Sequence, residues 1–340
     1  MATKNYPEKI AFIIPGQGGQ TEHMDSLANQ VDFVAEAYEQ TDREIENLYG
    51  SDKIIGRNIS EWAEHGTEVE LADTRVTQPL LVATAVGLIN YIRKTRKIHP
   101  DSVAGQSLGG LSALYAVGSL EQEDTIKLGI LRGQFSHEAS LQNPGRMAAL
   151  LNMPKEFWDN LDLGELELNG IVQAIKNSPD QILLSGYKEV LEDFVKTVQR
   201  QYAKFKGLSK AEKRHLPQAV MMKIGMGAHC FLMSHAEKAL WESLKPIDLK
   251  EPTTRYLSSA SGKYESDPRV IKIQTAEELT SEVDFWRVMR KLIKDRHTRI
   301  VEVGMGTKLT DEYKIQRQKR RLPASLVLES VLGDILPQAA

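Results

Sequence analysis

Only one cysteine, Cys230, occurs in the 340 residues. That excludes an intrachain disulfide and a cysteine-built metal cage, and it fits a reducing compartment, so the expected location is cytoplasmic. An excess of either charge is also missing. Lys and Arg number 43 against 46 Asp and Glu, a balance that gives neither nucleic acid nor an anionic membrane a broad surface to bind. Long hydrophobic runs are absent as well: the longest, Pro79 to Ile89, is too short to cross a bilayer, and the opening MATKNYPEKIAFIIPG has no secretory h-region. There is no internal repeat and no low-complexity segment. What remains is a chain of globular composition, long enough for one large domain or two.

The apolar run Lys9 to Ile14, ending at Pro15-Gly16, predicts a buried parallel strand. The loop GQGGQ follows, then a helix from about Asp25 to Tyr49, a second over Thr77 to Lys97, and a short strand at Ser102 to Gly105. Beyond it Leu108, Leu111, Leu114 and Tyr115 repeat with a helical period. Another helix is expected over Asp124 to Ser140. From Arg146 to Lys223 the pattern reads β-α-β-β-α-β, a ferredoxin-like module set into a larger α/β unit. A helix over Glu277 to Lys294 and a strand at 299 to 304 return to α/β alternation.

Between the strand at Ser102 and the helix after it lies AGQSLGG, in which Gly105, Ser107 and Gly109 have the G-x-S-x-G spacing of a nucleophile elbow. The spacing alone is weak, but the strand-turn-helix context it requires is present. Serine needs a base to take its proton. Seven histidines, His23, His65, His99, His137, His215, His235 and His297, sit in polar or helical surroundings that suit surface or capping roles. His229 follows the apolar run AVMMKI in the turn GMGAHC, at a strand end where α/β folds gather catalytic groups, and is either a base or a packed core histidine. Cys230 reads as an inert small hydrophobe.

The loop PGQGGQ lacks the third glycine of a dinucleotide fingerprint, where Thr21 stands, and the lysine of a P-loop. It can instead present a main-chain N–H to an oxyanion. Arg132, in a semi-exposed helical pattern, would by itself be read as solvated or salt-bridged. His229 and His235, six apart, fit no helical metal pair, and no metal site is expected.

Eight stretches, in order along nearly the whole chain, resemble malonyl-CoA:acyl carrier protein transacylases, a family that includes the acyltransferase domains of polyketide synthases. They are FIIPGQGGQ (12–20), TQPLLVATAVGL (77–88), AGQSLGGLSAL (104–114), LRGQFSHEAS (131–140), GRMAALL (145–151), NSPDQILLSG (177–186), GAHCFLM (227–233) and VEVGMGTKLT (301–310). The resemblance implies an α/β fold, with an α/β-hydrolase-like large subdomain over 1–143 and 217–340 and the ferredoxin-like one over 144–216. It implies a Ser107–His229 dyad and an oxyanion hole from the amides of Gln17 and Leu108. Arg132 would pair with the free carboxylate of a malonyl-type acyl group. Gln78, Gln106 and Ala228 fall at the substrate site, and Asp284 at the position whose carbonyl orients the histidine. The implied partners are an acyl-CoA and an acyl carrier protein, with the CoA thioester a substrate and no cofactor.

The chain departs from the family's usual pattern in several places. Gln106 stands for a histidine, Gly110 for a glutamate, Gly19 for a serine, Met305 for a proline, Ala228 for a phenylalanine and Cys230 for a small hydroxyl residue. None removes a catalytic group. Ala228 leaves room for a substituted malonyl unit or a longer acyl group unless Met226 or Phe231 fills it. Two other readings are an editing hydrolase acting on acyl carrier proteins, which has no use for Arg132, and a non-catalytic carrier-docking protein, which has none for a dyad. The run KIQRQKRR (314–321) is either a solvated helix face or a docking surface for an acidic carrier.

Overall fold

Residues 8–20, 24–50, 56–202 and 216–335 are described by a computed structural model. The apolar run near the N-terminus forms β1 (Ile10–Ile14), and four of its five residues are buried, as a strand covered on both faces requires. Around it lie β2 (Ser102–Gly105), β7 (Arg255–Leu257), β8 (Tyr264–Glu265), β10 (Arg299–Glu302) and β11 (Val327–Ser330), in the order β11-β10-β1-β2-β7-β8. All neighbours are parallel except β7 and β8. The helix Thr74–Tyr91 packs between Asp32–Tyr49 and Gln122–Gln142 and is apolar on nearly every side, the mark of a helix enclosed by others.

A second, five-stranded sheet has the order β6-β3-β5-β4-β9, from β3 (Gly145–Leu151), β4 (Ile171–Ser178), β5 (Gln181–Tyr187), β6 (Gln218–Met221) and β9 (Val283–Asp284). The first four pair antiparallel, as a ferredoxin-like unit does. Leu191, Val195 and Val198 of the helix Lys188–Gln201 bury against its Ala148, Leu150 and Leu184 in a separate small core. The expected boundary at residue 216 is corrected here, since β6 lies beyond it and pairs with β3. The large unit also lends β9 to this sheet, parallel to β4.

Two expected helices are broken. Asp25–Ala28 and Asp32–Tyr49 are separate, with Val31 extended between them. The stretch 277–294 is the end of one helix, Pro268–Glu277, a turn, β9, and a new helix, Phe285–Lys294. The Thr74–Tyr91 helix also stops short of Lys97, passing into a wider turn at Ile92–Arg96.

Candidate active site

β2 turns into the helix Gly109–Ala116 within three residues, and only glycine fits either shoulder of that turn. A Cβ on Gly105 would lie 2.3 Å from the main chain of Gly109, and one on Gly109 would lie 2.2 Å from the Ile14 carbonyl oxygen. Squeezed between them, Ser107 takes φ +53°, a left-handed conformation that non-glycine residues rarely adopt. Leu108 follows at the helix start, where main-chain N–H groups and the helix dipole favour negative charge.

His229, also left-handed at φ +58° and 2% exposed, meets Ser107 from the irregular segment that follows β6, eight residues past the strand end at which it was expected. Its Nε2 lies 2.8 Å from Ser107 Oγ and its Nδ1 lies 2.7 Å from the main-chain oxygen of Glu278. Since a carbonyl can only accept, Nδ1 carries the proton, and Nε2 is left to accept from the serine hydroxyl. Burial, with the charge of Arg132, pushes the ring down to about 4, against the pull of the Glu278 and Ser281 carbonyls. At neutral pH the imidazole is therefore uncharged.

Asp284 does not hold the histidine. Its carboxylate accepts from the Arg287 N–H at 2.9 Å and caps the helix Phe285–Lys294. The orienting carbonyl comes six residues earlier, from the turn that breaks the expected helix, because that turn faces His229 while Asp284 is drawn away into β9 beside β4.

Arg132 is 4% exposed, and burial pushes its guanidinium down to about 10. Nη1 donates to Gln78 Oε1 at 2.7 Å and Nη2 to Ser107 Oγ at 3.2 Å. Gln78, fully buried, positions Arg132 and donates in turn to Thr74 and Ser136. Gln106 ties the elbow to the small sheet by donating to Asn177 on β4, and its Oε1 lies 3.5 Å from the Gly16 N–H.

Gln17, Gln106, Ser107, Arg132, Ala228 and His229 all open onto one cleft of about 600 Å³ between the two sheets. Apolar side chains of the small subdomain, including Met147, Ile175 and Leu183, form its far wall. Beside Ala228 the wall includes Met226, whereas Phe231 is 42% exposed and stacks edge-on against Tyr187, 5.4 Å away. Cys230 is buried, its thiol held protonated by burial.

Two groups that the sequence did not single out belong to the site. Glu278 is buried, and its Oε1 accepts from Ser259 Oγ at 2.7 Å. Its other oxygen lies beside Gly110, 3.4 Å from where a Cβ there would sit, in room left by the missing side chain. Glu302, on the cleft wall, accepts from the Thr310 N–H at 2.7 Å. Burial pushes both carboxyls up to about 7.

Of the other histidines, His65, His99 and His235 are exposed and His137 is half-buried. His297 departs from the expected surface role, being buried with its ring between Leu292 O (2.9 Å) and Ser102 Oγ (3.0 Å). His23 and His215 lie outside the described residues. Among the described residues no His, Cys, Asp and Glu cluster could hold a metal, and no helix is long and apolar enough to cross a membrane.

Three charges of the basic run are engaged within the fold, although Lys319, Arg320 and Arg321 remain exposed. Lys319 Nζ lies 2.7 Å from Asp180 Oδ2, Arg321 binds the same carboxylate, and Arg317 donates to the Leu326 carbonyl at 2.6 Å.

Residues 11–319 match the model of the acyl transferase domain. The malonyl CoA-acyl carrier protein transacylase of Bacillus subtilis is 31% identical over 92% of this chain and 92% of its own length. That of Haemophilus influenzae is 30% identical over 88% of this chain and 89% of its own. The crystal structure of FabD from Acinetobacter baumannii superposes with a TM-score of 0.77 at 25% identity, covering 95% of this chain and 93% of that one. With a G-x-S-x-G elbow, a histidine on its serine and a family match over most of its length, the chain belongs to the acyl transferase family.

Proposed function

We propose that this enzyme moves a malonyl group from CoA to the phosphopantetheine thiol of an acyl carrier protein through an acyl-serine on Ser107, in fatty-acid synthesis. What carries the reading is the convergence on one oxygen: His229 Nε2 at 2.8 Å to take its proton and Arg132 Nη2 at 3.2 Å to place an acyl carboxylate beside it. Ser107 Oγ attacks the thioester carbonyl as its proton passes to Nε2. The tetrahedral oxyanion rests on the N–H groups of Leu108 and Gln17, and the CoA thiolate leaves with the proton from His229. The carrier thiol then gives its proton to Nε2 and attacks the acyl-serine, and Ser107 recovers a proton from the imidazolium. No cofactor enters this sequence. A trans-acting role in polyketide assembly would use the same chemistry. The proposed setting is cytoplasmic, where a lone buried thiol such as Cys230 stays reduced.

Arg132 links binding to chemistry. Its charge is one of the two causes that depress His229. A carboxylate paired to the guanidinium, ideally in bidentate geometry, neutralises that charge and makes the imidazole a stronger base as the substrate seats. An uncharged acyl chain offers the guanidinium no partner on the cleft side, which disfavours the editing-hydrolase reading. Intact-protein mass spectrometry after incubation with malonyl-CoA tests the proposal: wild type gains one malonyl group and Ser107→Ala gains none. Malonylation of the alanine variant at the wild-type rate would refute it.

A further inference from the structure

Glu278 is engaged at both ends. Its carbonyl fixes the His229 tautomer, and its carboxylate lies in a small polar recess lined by Ser107, Arg132, Ser258, Ser259 and Gln274. Ser107 and Arg132 also line the large cleft, so the guanidinium stands between two openings, one already holding a carboxylate and one free to receive another. The direct hydrogen-bond partners of Arg132 are the neutral Gln78 and Ser107, and among the described residues it forms no ion pair within 4.0 Å. The negative charge that bears on it comes through space from Glu278.

We propose that Glu278 is the resident counter-ion of Arg132 and, by competing with the acyl carboxylate for that guanidinium, sets how strongly the enzyme prefers charged over neutral acyl groups. Above about pH 7, where the Glu278 carboxyl is ionised, Arg132 and Glu278 form a separated pair that keeps the empty site near electroneutrality. An arriving malonyl carboxylate puts two anions around one cation, and the arrangement relaxes when Glu278 takes up one proton from solvent. That proton returns to solvent when the acyl group leaves. High pH opposes this uptake, so malonyl loading weakens relative to loading of an uncharged acyl group.

The titratable groups facing Glu278 are Arg132 from the helix Gln122–Gln142, His229 across the elbow, and Tyr256 of β7. Burial places Arg132 at about 10, His229 at about 4 and Tyr256 far above neutrality, so none of the three titrates between pH 6 and 8.5. The malonyl carboxylate is ionised across the same range. Glu302, on β10 at the cleft wall, does titrate there, and the Glu278 variant separates the two.

The inference rests on Arg132 receiving the acyl carboxylate. The experiment measures self-acylation by malonyl-CoA and by acetyl-CoA from pH 6 to 8.5 in wild type, Glu278→Gln and Arg132→Ala. The glutamine keeps the main-chain carbonyl that His229 needs. In wild type the malonyl-to-acetyl rate ratio should fall on the order of ten-fold as pH rises. In Glu278→Gln it should be flat and stay at the high level. A flat wild-type ratio, a slope that persists in Glu278→Gln, or a variant that slows both acyl groups equally would overturn the inference. Should the variant fail to fold, the wild-type slope decides, together with calorimetry of malonyl loading in buffers of different ionisation enthalpy, where no net proton uptake at pH 8 is the overturning result. Loss of malonyl preference in Arg132→Ala with no effect of Glu278→Gln would sink this inference alone, whereas malonyl preference unchanged in Arg132→Ala would sink the assigned role of Arg132 itself.

Discussion

The two hydrogen bonds of His229 end in parts of the chain that are built on different terms. Nε2 meets Ser107 on a turn that only particular residues can make, with glycine at both shoulders and a hydroxyl at the apex. Nδ1 meets the Glu278 carbonyl in a turn where any residue supplies the same atom. Function carried by a side chain leaves a mark in the sequence, and function carried by the main chain does not. The orienting carbonyl therefore lies six positions before the expected Asp284, while the elbow is marked by its spacing together with the strand and helix on either side.

Substitution on each side should break that symmetry most visibly. His229→Ala removes the base and should lower acyl-enzyme formation by roughly 10³- to 10⁴-fold. Asp284→Ala removes only a helix cap, for a loss of about 1 kcal/mol in stability, with acylation within about two-fold of wild type. Stopped-quench acylation and chemical denaturation of the two variants test this. A large rate loss with Asp284→Ala at intact stability would return that residue to the site.

The elbow's glycines divide in the same way. Gly109→Ala forces a Cβ against the Ile14 carbonyl at 2.2 Å, where β1 would have to move, and should cost about 1 to 3 kcal/mol or more. At Gly110 the nearest atom is Glu278 Oε2, 3.4 Å away, and alanine favours the helix by about 0.5 to 1 kcal/mol. Gly110→Ala is expected to be neutral or slightly stabilising in denaturant titrations. Equal destabilisation of both variants would mean that the turn is less tightly closed than its distances indicate.

Much of the fold was legible because burial writes periodicity. β1, β2, the helix over 122–142 and the four-stranded order of the small unit follow from apolar runs and helical spacing. The break in 277–294 was not legible, because the two flanking helices have compatible periods and the interruption contains no Gly or Pro. Glu278 was equally hidden, since nothing distinguishes it from Glu277 until the fold buries one of them and leaves the other exposed. Arg132 was legible only through resemblance, as its helix reads as semi-exposed until packing encloses it.

The environment of His229 can be separated from its identity by pH. An ordinary histidine would be half protonated near 6.5 and would lose roughly 30-fold in base activity by pH 5. Burial and Arg132 push His229 down to about 4, and because the base acts in its neutral form, a lowered pKa extends activity towards acid. The kcat/KM of malonyl-CoA acylation, which reports the free enzyme, should therefore show no histidine-dependent fall between pH 7 and 5. A rate that halves near 6.5 would show a solvated ring, and with it a dyad far more open than these contacts describe.

A modest, salt-dependent effect is expected from the basic run, the region most conspicuous in the sequence and most altered in meaning by the fold. Lys319 and Arg321 grip Asp180 at the β4–β5 turn and Arg317 holds the Leu326 carbonyl, so these charges bind the helix Lys308–Gln318 and the segment after it to the small subdomain and the C-terminal strand region. Arg320 is exposed, and Lys314 lies 4.0 Å from Asp311, at the limit of an ion pair. If an acidic carrier is steered by this stretch, Lys314 and Arg320 are the charges free to do it. Exposed charges alter association rates more than the stability of a complex, and salt screens them. Lys314→Glu with Arg320→Glu should therefore slow transfer to the carrier a few-fold and flatten its salt dependence, with self-acylation by malonyl-CoA unchanged. Lys319→Glu with Arg321→Glu should instead lower stability by about 1 kcal/mol or more, because like charges then crowd a partly buried carboxylate, and should slow both half-reactions together. Paired single-turnover assays of the two half-reactions at low and high salt separate these outcomes. Equal loss in both half-reactions for the Lys314 and Arg320 pair would remove the run from carrier docking and leave it wholly to holding the two parts of the fold together.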